Sequence, residues 1–548
     1  MRSMVEGGIR LRNRCVAGRA PSTITYGDGP PPRAGEDLLP ERGRQHRGTA
    51  MKAIWATLLL AATTPATAQE ATPAAPTPPR VSVSGGIVEG RAEADRILFR
   101  GIPFAAPPLA ANRWREPQPV VEWTGIRTTT ARAPACLQND YGWNRADHVF
   151  ASEDCLTLDV GTPALTGKRP VIVWIHGGSN RAGSAGDMAL SSIGKRGVVV
   201  VAIQYRLGIF GFLPHRALAA EAEGKSGNYG LMDQIAALRW VRDNIAKFGG
   251  DPDNVTIAGE SAGSQDVSLL LASPLARGLF AKAAMESGTP GFGLPWRPLK
   301  EAFRIGDQLD VLLGTRGSAS LRTVSPAALL AADLKLHDAK LTADDYLYLR
   351  TTIDGAVLPD TPDRLFVTAP KRPVIIGSNV LELDLPGGRP ARDGFVDLSF
   401  GANAEGARTF YRLDEPDPLP HPRLGTRDQQ IATDATFRCP AGSLANLLAT
   451  RNWPVWRYEF DMARDGGAGP TTHAAEIDYI FNDRRAGPVW MQDYWVAFAT
   501  TGDPNGDGRP AWARSVRGKP ANILFDARGA TPRDGDIRPE LCRLQGSL

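Results

Sequence analysis

The stretch VTIAGESAGSQDV, Val255 to Val267, constrains the fold more than any other part of this 548-residue chain. It begins with residues typical of a buried strand, and apolar residues at helical spacing follow through Leu269 to Leu271. We predict a helix over Ser268 to Leu279 with an interruption at Pro274. The flanking glycines lack a Cβ atom, so strand and helix can pack closely around the residue between them. The pattern predicts a strand, a sharp turn at Ser261 and a helix.

The rest of the chain alternates buried strands with helices. Apolar runs that predict strands occur at Val171 to Ile175, Val198 to Ile203 and Pro373 to Ile376, and helical spacing occurs between Met232 and Phe248. The region from Leu299 to Leu349 is rich in helix formers and predicts a helical subdomain. The alternation predicts an α/β fold, with a large, mostly parallel central sheet covered by helices on both faces.

The N-terminal region has the features of an export signal. Within residues 51–68, Lys52 precedes an apolar run and an Ala-Thr-Ala cleavage site, and the run is too short to span a bilayer. We predict a signal peptide over 51–68, a Pro/Ala-rich tether over 69–80 and one α/β domain over 81–548. Residues 1–50 lack periodicity and are predicted to be a translated upstream extension, or alternatively a disordered arm. The protein is therefore expected in the periplasm or secreted.

The charge of the chain is concentrated at this end. The formal net charge is +4, but the first 68 residues contain ten basic and five acidic side chains, which leaves about −1 for the remainder. This distribution does not indicate a basic surface for nucleic acid or anionic lipid, and we predict no nucleic-acid partner. His and Cys residues show no metal-ligand spacing, and no glycine-rich phosphate loop follows the first strand. We therefore predict neither a metal nor a cofactor.

Five cysteines are present, and one of them, Cys15, precedes the predicted mature N-terminus. The remaining four are an even number in a chain predicted to be exported, which favours two disulfides. Four cysteines allow three connectivities, and their number alone does not choose among them.

Ser261 is a candidate nucleophile, which requires a histidine to accept its proton and an acid to orient that histidine. When the serine lies on a strand-to-helix turn, the acid and then the histidine follow it in the chain. Of the seven histidines, His421 and His473 leave room for an acid-bearing strand after Ser261. His421 is flanked by prolines, whereas His473 follows a glycine-rich loop that suits a presented side chain. We predict His473 as the base and keep His421 as the alternative.

The candidate acid is Glu382, which follows the predicted strand PVII. A carboxylate just beyond the carboxyl end of a parallel strand lies at the edge where ligands bind in open α/β sheets. Asp384 and Asp354 are the alternatives, and both are typical of turns.

Backbone N–H groups are the candidates for stabilising an oxyanion. One comes from Ala262, directly after the serine. The others come from Gly178 and Ser179, in the glycine-rich loop after VIVWI, because a backbone without bulky side chains can approach a reacting oxygen closely.

Ordered motifs extend from about Gly85 to Cys542: FRGIPFAAPPLAANRWREPQP, SEDCLTLDV, IHGG, YRLGIFGFL, GNYGLMDQIAALRWVRDNIAKFGGDPDNVTIAGESAG, MESG, HAAEIDYIF and YWVAFATTGDPN. Through them the chain resembles the type-B carboxylesterases of the α/β-hydrolase superfamily, the group that includes the cholinesterases. The resemblance implies the α/β-hydrolase fold and assigns the triad positions to Ser261, Glu382 and His473. It likewise implies an oxyanion hole at Gly178, Ser179 and Ala262.

The resemblance also implies a disulfide pairing. Cys136 and Cys155 correspond to the family's first disulfide loop, and Cys439 and Cys542 to a later bridge of the cholinesterases. Trp143, within the first loop, is a candidate wall for the alcohol part of a substrate, with an ordinary packed tryptophan as the alternative.

Glu260, beside the serine, matches a family position near the site and is a candidate substrate-binding residue. A buried structural glutamate is its alternative reading.

Three departures from the family pattern are expected to change which ester fits. Ser179, followed by Asn180, stands where the family usually has a third glycine. Leu383 follows the acid where glycine is usual. After the serine turn, Ser264-Gln265-Asp266 is more polar than the residues often found there.

The predicted function is a serine carboxylic-ester hydrolase that acts through an acyl-enzyme, with a small-molecule ester and water as its partners. The alternatives are a noncatalytic esterase-like binding or adhesion domain and a specialised thioesterase or amidase. The sequence carries no signal for the oligomeric state.

Overall fold

The strands around the serine turn lie in the middle of an 11-stranded sheet. A computed structural model describes residues 77–338, 341, 350–385, 387–506 and 508–546. The predicted extension over 1–50, the signal peptide over 51–68 and the tether up to residue 76 lie outside the described residues. Thr77–Leu548 group as one compact unit.

The strands are numbered along the chain. They are β1 (Arg80–Val83), β2 (Gly86–Glu89), β3 (Arg91–Ala92), β4 (Ile97–Pro103), β5 (Ile126–Thr128), β6 (Ala135–Cys136), β7 (Ala151–Ser152), β8 (Thr157–Thr162), β9 (Arg169–Ile175), β10 (Val199–Ile203), β11 (Gly250–Glu260), β12 (Lys282–Glu286), β13 (Val374–Asn379), β14 (Val455–Asp461), β15 (Ala521–Asp526) and β16 (Gly529–Asp534).

The large sheet has the order β16-β15-β14-β13-β12-β11-β9-β10-β8-β4-β3. The seven strands in its middle, β15-β14-β13-β12-β11-β9-β10, are all parallel to one another. The outer strands, β16 at one end and β8, β4 and β3 at the other, pair antiparallel. The predicted mostly parallel sheet is therefore confirmed. Because β11 and β13 are parallel, the segments that follow them emerge at the same edge of the sheet.

Alternate residues of the central strands enter two different hydrophobic cores. In β9, Val171, Val173 and Ile175 pack in one core, while Ile172 and Trp174 pack in the other. Successive strand side chains point to opposite faces, so a sheet covered on both faces needs the continuous apolar run seen in the sequence.

The helices cover these faces. They are α1 (Arg145–Val149), α2 (Gly208–Phe212), α3 (Arg216–Glu221), α4 (Tyr229–Asn244), α5 (Ala262–Ala272), α6 (Leu299–Leu313), α7 (Gly317–Thr323), α8 (Pro326–Asp333), α9 (Pro362–Thr368), α10 (Arg392–Phe400), α11 (Ala404–Tyr411), α12 (Arg427–Thr433), α13 (Cys439–Thr450), α14 (Ile477–Phe481), α15 (Met491–Thr501) and α16 (Pro539–Leu544). None of the helices in the described residues is long and apolar enough to cross a membrane.

The predicted bounds of the helix after the serine were wrong. Helix α5 begins at Ala262 and ends at Ala272, and a short 3-10 turn, Pro274–Ala276, follows it. The helix begins early because the Ser261 carbonyl already accepts a hydrogen bond from the N–H of Gln265, at 2.9 Å. It ends before Pro274, whose ring nitrogen has no hydrogen to donate.

The helical region is larger than the sequence predicted. Helices α6 to α8 occupy the part of Leu299 to Leu349 that is described. A second group, α10 to α13, lies between β13 and β14 and includes a π-helical turn, Asp434–Arg438. It forms its own hydrophobic cluster with α16, which the sequence analysis did not anticipate.

Two disulfides connect distant parts of the chain, with the pairing that the resemblance implied. One joins Cys136 to Cys155, and the other joins Cys439, the first residue of α13, to Cys542 in α16. The second bridge links the helical group between β13 and β14 to the C-terminal helix.

Candidate active site

Ser261 occupies the sharp turn between β11 and α5. Its φ of 55° lies in the left-handed region, which non-glycine residues seldom adopt. Its N–H donates to the Glu286 carbonyl at 2.8 Å. A Cβ atom on Gly263 would lie 2.0 Å from the Ile175 carbonyl oxygen, and one on Gly259 would lie 2.6 Å from the Gly263 backbone. Both glycines are therefore needed for the strands and helix to pack around the serine.

His473 lies on the loop after β14 and Glu382 on the loop after β13. The Nδ1 atom of His473 is 2.7 Å from Oε2 of Glu382. Glu382 is held by the Asn379 backbone, whose N–H donates to Oε1 at 2.7 Å. The His473 ring packs against Phe437, with the ring centroids 5.1 Å apart. The loop that carries the histidine thus meets the carboxyl end of β13, where the sequence placed the acid.

The alternative residues lie elsewhere. His421 is exposed, and its Nδ1 accepts the backbone N–H groups of Arg423 and Leu424. Asp354 is buried, and it caps a turn by accepting the N–H of Leu358 at 2.8 Å. Asp384 is exposed. None of these three contacts His473 among the described residues.

Glu260 occupies the other side of the histidine. Its Oε1 atom lies 3.1 Å from Nε2 of His473, although within the described residues Oε1 forms no hydrogen bond. In the described part of the chain, no hydrogen bond joins Ser261 to His473. The imidazole is therefore flanked by two carboxylates, one at each ring nitrogen.

Two further buried carboxylates lie behind this pair. Glu476 accepts hydrogen bonds from Asn379 Nδ2 at 2.7 Å and from Ser287 Oγ at 3.0 Å. Glu286 accepts a hydrogen bond from Trp495 Nε1 at 3.0 Å. The sequence analysis did not identify this cluster, although MESG and HAAEIDYIF, which contain both acids, were among the quoted motifs.

The pKa values follow from burial and from the mutual charges. Burial, together with the nearby Glu476 and Glu382 charges, raises the pKa of Glu260 to about 8 against the opposing effect of His473. Burial lowers the pKa of His473, but the charges of Glu260 and Glu382 outweigh it and raise that pKa to about 9. The site therefore stabilises a protonated histidine.

The glycine-rich loop after β9 packs closely against the serine turn. A Cβ atom on Gly177 would lie 3.0 Å from the Ser261 Cβ atom. Gly178 and Ser179 have φ values of 101° and 57°. Together with Ala262, their N–H groups donate to no acceptor within the described residues. This geometry leaves three backbone donors near the serine for a ligand oxygen.

Trp143 borders this loop. It is 46% exposed, and a Cβ atom on Gly178 would lie 3.0 Å from its ring. The first disulfide loop thus brings an exposed indole beside the candidate oxyanion donors.

Asn180 and Asp266, which both belong to the departures from the family pattern, contact each other. Asn180 Nδ2 donates to Asp266 Oδ1 at 3.0 Å, and Asn180 Oδ1 accepts from the Tyr205 hydroxyl at 3.0 Å. Burial raises the pKa of Asp266 to about 7. The hydrogen bond links the glycine-rich loop to α5, and only the fold reveals it, because the two residues are 86 positions apart.

A cavity opens directly over Ser261. Its lining includes Ser179 and Asn180 on one side, Leu383 and Phe437 on another, and Gln265 from α5. Each of the three departures from the family pattern therefore contributes at least one residue to this cavity. A further lining residue, Arg350, was not identified from the sequence.

Comparison with known proteins gives consistent relatives. A profile described as the carboxylesterase family matches residues 77–386 and 402–530. A protein of Sphingopyxis macrogoltabida named fumonisin B1 esterase is 32% identical over 469 residues, which cover 79% of this chain and 84% of that protein. The liver carboxylesterase of Sus scrofa is 33% identical over 478 residues, which cover 76% of this chain and 82% of that one.

Solved structures show the same fold. A PNB esterase superposes with a TM-score of 0.73 at 31% identity, covering 86% of this chain and 100% of that chain. A carboxylesterase of Geobacillus stearothermophilus superposes with a TM-score of 0.67 at 29% identity, covering 84% and 98% of the two chains. The architecture around Ser261 is therefore that of an α/β hydrolase.

Proposed function

Because the chain belongs to the carboxylesterase family and hydrolyses carboxylic esters, we propose that it does so through an acyl-enzyme formed on Ser261. In this proposal His473 transfers the protons and Glu382 orients His473. The observation that carries it is the 2.7 Å contact between His473 Nδ1 and Glu382 Oε2. This contact fixes the ring orientation and leaves Nε2 on the side of the serine turn.

In the first half of the reaction, His473 Nε2 takes the Ser261 hydroxyl proton as the oxygen attacks the ester carbonyl. The tetrahedral oxyanion receives hydrogen bonds from the N–H groups of Gly178, Ser179 and Ala262. The carbon–oxygen bond to the alcohol then breaks, and the histidine returns the proton to the leaving alkoxide.

In the second half, a water molecule replaces the alcohol. His473 takes its proton as the hydroxide attacks the acyl-enzyme, and the Ser261 oxygen leaves with that proton. The products are one alcohol and one carboxylic acid. The nearby carboxylates stabilise the imidazolium present in both transition states.

The proposal includes export of the protein after removal of residues 51–68. The two disulfides support it, because such bonds persist mainly in oxidising compartments. N-terminal sequencing of the exported protein should begin at Gln69, and a mature chain that retains residues 1–50 would contradict this part.

Labelling with a fluorophosphonate tests the nucleophile directly. The probe should add to one peptide, the one that contains Ser261, and should abolish hydrolysis of 4-nitrophenyl acetate. The Ser261→Ala variant should not react with the probe. A label on another serine, with full inhibition, would overturn the assignment.

A further inference from the structure

The surface of the cavity over Ser261 is mostly apolar, and the charge of its described lining residues has a single sign. Alongside apolar residues, Gln265, Thr351 and Thr436 contribute neutral polar side chains to its lining. Among the described residues that line the cavity, Arg350 is the only charged one. Among the described residues, a ligand that enters the cavity therefore meets one guanidinium group and no lining carboxylate.

Arg350 has unused hydrogen-bonding capacity. Its Nη1 atom donates to the Pro295 carbonyl at 3.1 Å. Its Nε atom is buried and has no hydrogen-bond partner among the described residues. A guanidinium has five N–H donors and remains charged even where burial lowers its pKa, as it does for Arg350. Buried donors without partners are unfavourable, and one that borders a cavity can be satisfied by a ligand, an ion or a water molecule bound there.

An acid that acts on Arg350 through its charge is engaged by other residues. Asp338 acts electrostatically on Arg350, but it forms ion pairs with Arg297 at 3.0 Å and with Arg304. The neighbouring Thr351 is buried, and its hydroxyl also lacks a partner. Two adjacent side chains of the cavity lining therefore have donors that no described residue satisfies.

We propose that this cavity binds a free carboxylate of the substrate at Arg350 and Thr351, so that the enzyme prefers esters that carry a negative charge. This inference rests on the proposed function and specifies its substrate class. A planar carboxylate matches the forked donors of a guanidinium, and the threonine hydroxyl can donate a further hydrogen bond. The free carboxylate can belong to the acyl part or to the alcohol part of the ester.

Two matched pairs of esters distinguish a free carboxylate on the acyl part from one on the alcohol part. The acyl pair is 4-nitrophenyl hydrogen adipate and 4-nitrophenyl hexanoate, which have the same chain length. The alcohol pair is 4-acetoxybenzoate and 4-methylphenyl acetate, in which a methyl group replaces the carboxylate. The wild-type protein should have a kcat/KM at least about tenfold higher for the anionic member of one pair, because loss of a close charge partner changes binding by this factor or more.

The Arg350→Met variant should remove the preference. Its kcat/KM for the preferred anionic ester should fall about 30-fold, while that for the neutral partner should change by less than about threefold. Arg350→Lys should retain part of the preference, because it keeps the charge but loses the fork. Arg364→Met is the matched control, since Arg364 is 72% exposed and its loss changes the net charge equally.

The comparison of kcat/KM within each ester pair uses the wild-type protein, so it does not depend on whether a variant folds. Equal kcat/KM values within both pairs would overturn the inference, and so would an Arg350→Met variant that loses activity equally on anionic and neutral esters. Either result leaves the proposed function intact. Failure of the wild-type protein to hydrolyse any of the four esters would instead contradict the proposed function.

Discussion

The two sides of Ser261 differ in charge. On the histidine side, a cluster of four buried acids lies around the imidazole. Glu260 and Glu382 contact its two ring nitrogens, and Glu476 and Glu286 lie behind them. On the cavity side, the lining in the described part of the chain has neutral side chains and one cation, Arg350. The candidate nucleophile thus lies between an acidic region and a basic one.

The difference follows from what each side must stabilise. In the proposed reaction the histidine becomes positively charged, so carboxylates behind it would lower the free energy of the transition state. Their burial is tolerated because neutral donors satisfy them, such as Asn379, Ser287 and Trp495. In the same proposal the cavity side faces an oxyanion, and carboxylates there would raise the free energy of that oxyanion. Separation of the two charges across the serine turn therefore suits acyl transfer.

Removal of the Ser261 hydroxyl, which borders both sides, should have the largest effect on kcat. Ser261→Ala should fold normally and lose about 10⁶-fold in kcat, because loss of the nucleophile disables the whole unit. The kcat is measured on 4-nitrophenyl acetate, and the thermal unfolding midpoint checks the fold. A folded variant with near wild-type turnover would show that neither side acts through Ser261.

On the histidine side, Glu382→Gln should lose about 10⁴-fold in kcat, because the amide no longer stabilises the imidazolium or selects its tautomer. Asp384→Asn is the matched control, since Asp384 is exposed and two residues away, and it should change kcat by less than about threefold. If Asp384→Asn proved the more damaging, the acid would be misassigned.

The two disulfides separate stability from substrate fit. The Cys439–Cys542 bridge closes a loop of 103 residues and the Cys136–Cys155 bridge one of 19. By loop entropy alone, their removal should lower the free energy of unfolding by about 4.7 and about 3 kcal/mol. The paired Cys→Ala variants, measured by urea unfolding, should show this order.

The short bridge should have the larger effect on KM. Its loop carries Trp143, which borders the glycine-rich loop on the cavity side. The reverse order in KM, with the long bridge dominating, would contradict a substrate-contacting role for that loop.

The smallest of these effects concerns the pH profile. His473 must be neutral to accept a proton, and its pKa is raised to about 9, so kcat/KM of the wild-type protein should rise with pH through about that value. Glu260→Gln removes one of the charges that raise this pKa. The rise should therefore move to lower pH, and the ratio of kcat/KM at pH 7 to its high-pH plateau should increase about tenfold.

Glu405→Gln is the matched control for this profile, because Glu405 is exposed on α11. Its profile should coincide with that of the wild-type protein. A Glu260→Gln profile that stayed in place, or moved to higher pH, would show that Glu260 does not act on the histidine through its charge.

The sequence predicted best where local pattern dictates structure. The apolar runs at β9, β10 and β11 predicted buried strands because both faces of such a strand contact cores. The start of α5 was misplaced, since the residues after Ser261 are polar and small and carry no apolar periodicity. They are buried nonetheless, because β9, β12 and the glycine-rich loop pack around them.

By itself, the sequence determined the candidate nucleophile, histidine and acid, because strand-turn-helix pattern and chain order depend on neighbours in the chain. Only the tertiary structure decided what surrounds them. The raised pKa of His473 comes from Glu260 and Glu382, which lie 213 and 91 positions before it. Arg350 likewise reaches the Ser261 cavity from 89 positions away. Burial and Coulomb energies depend on distance in space, and the fold alone sets that distance.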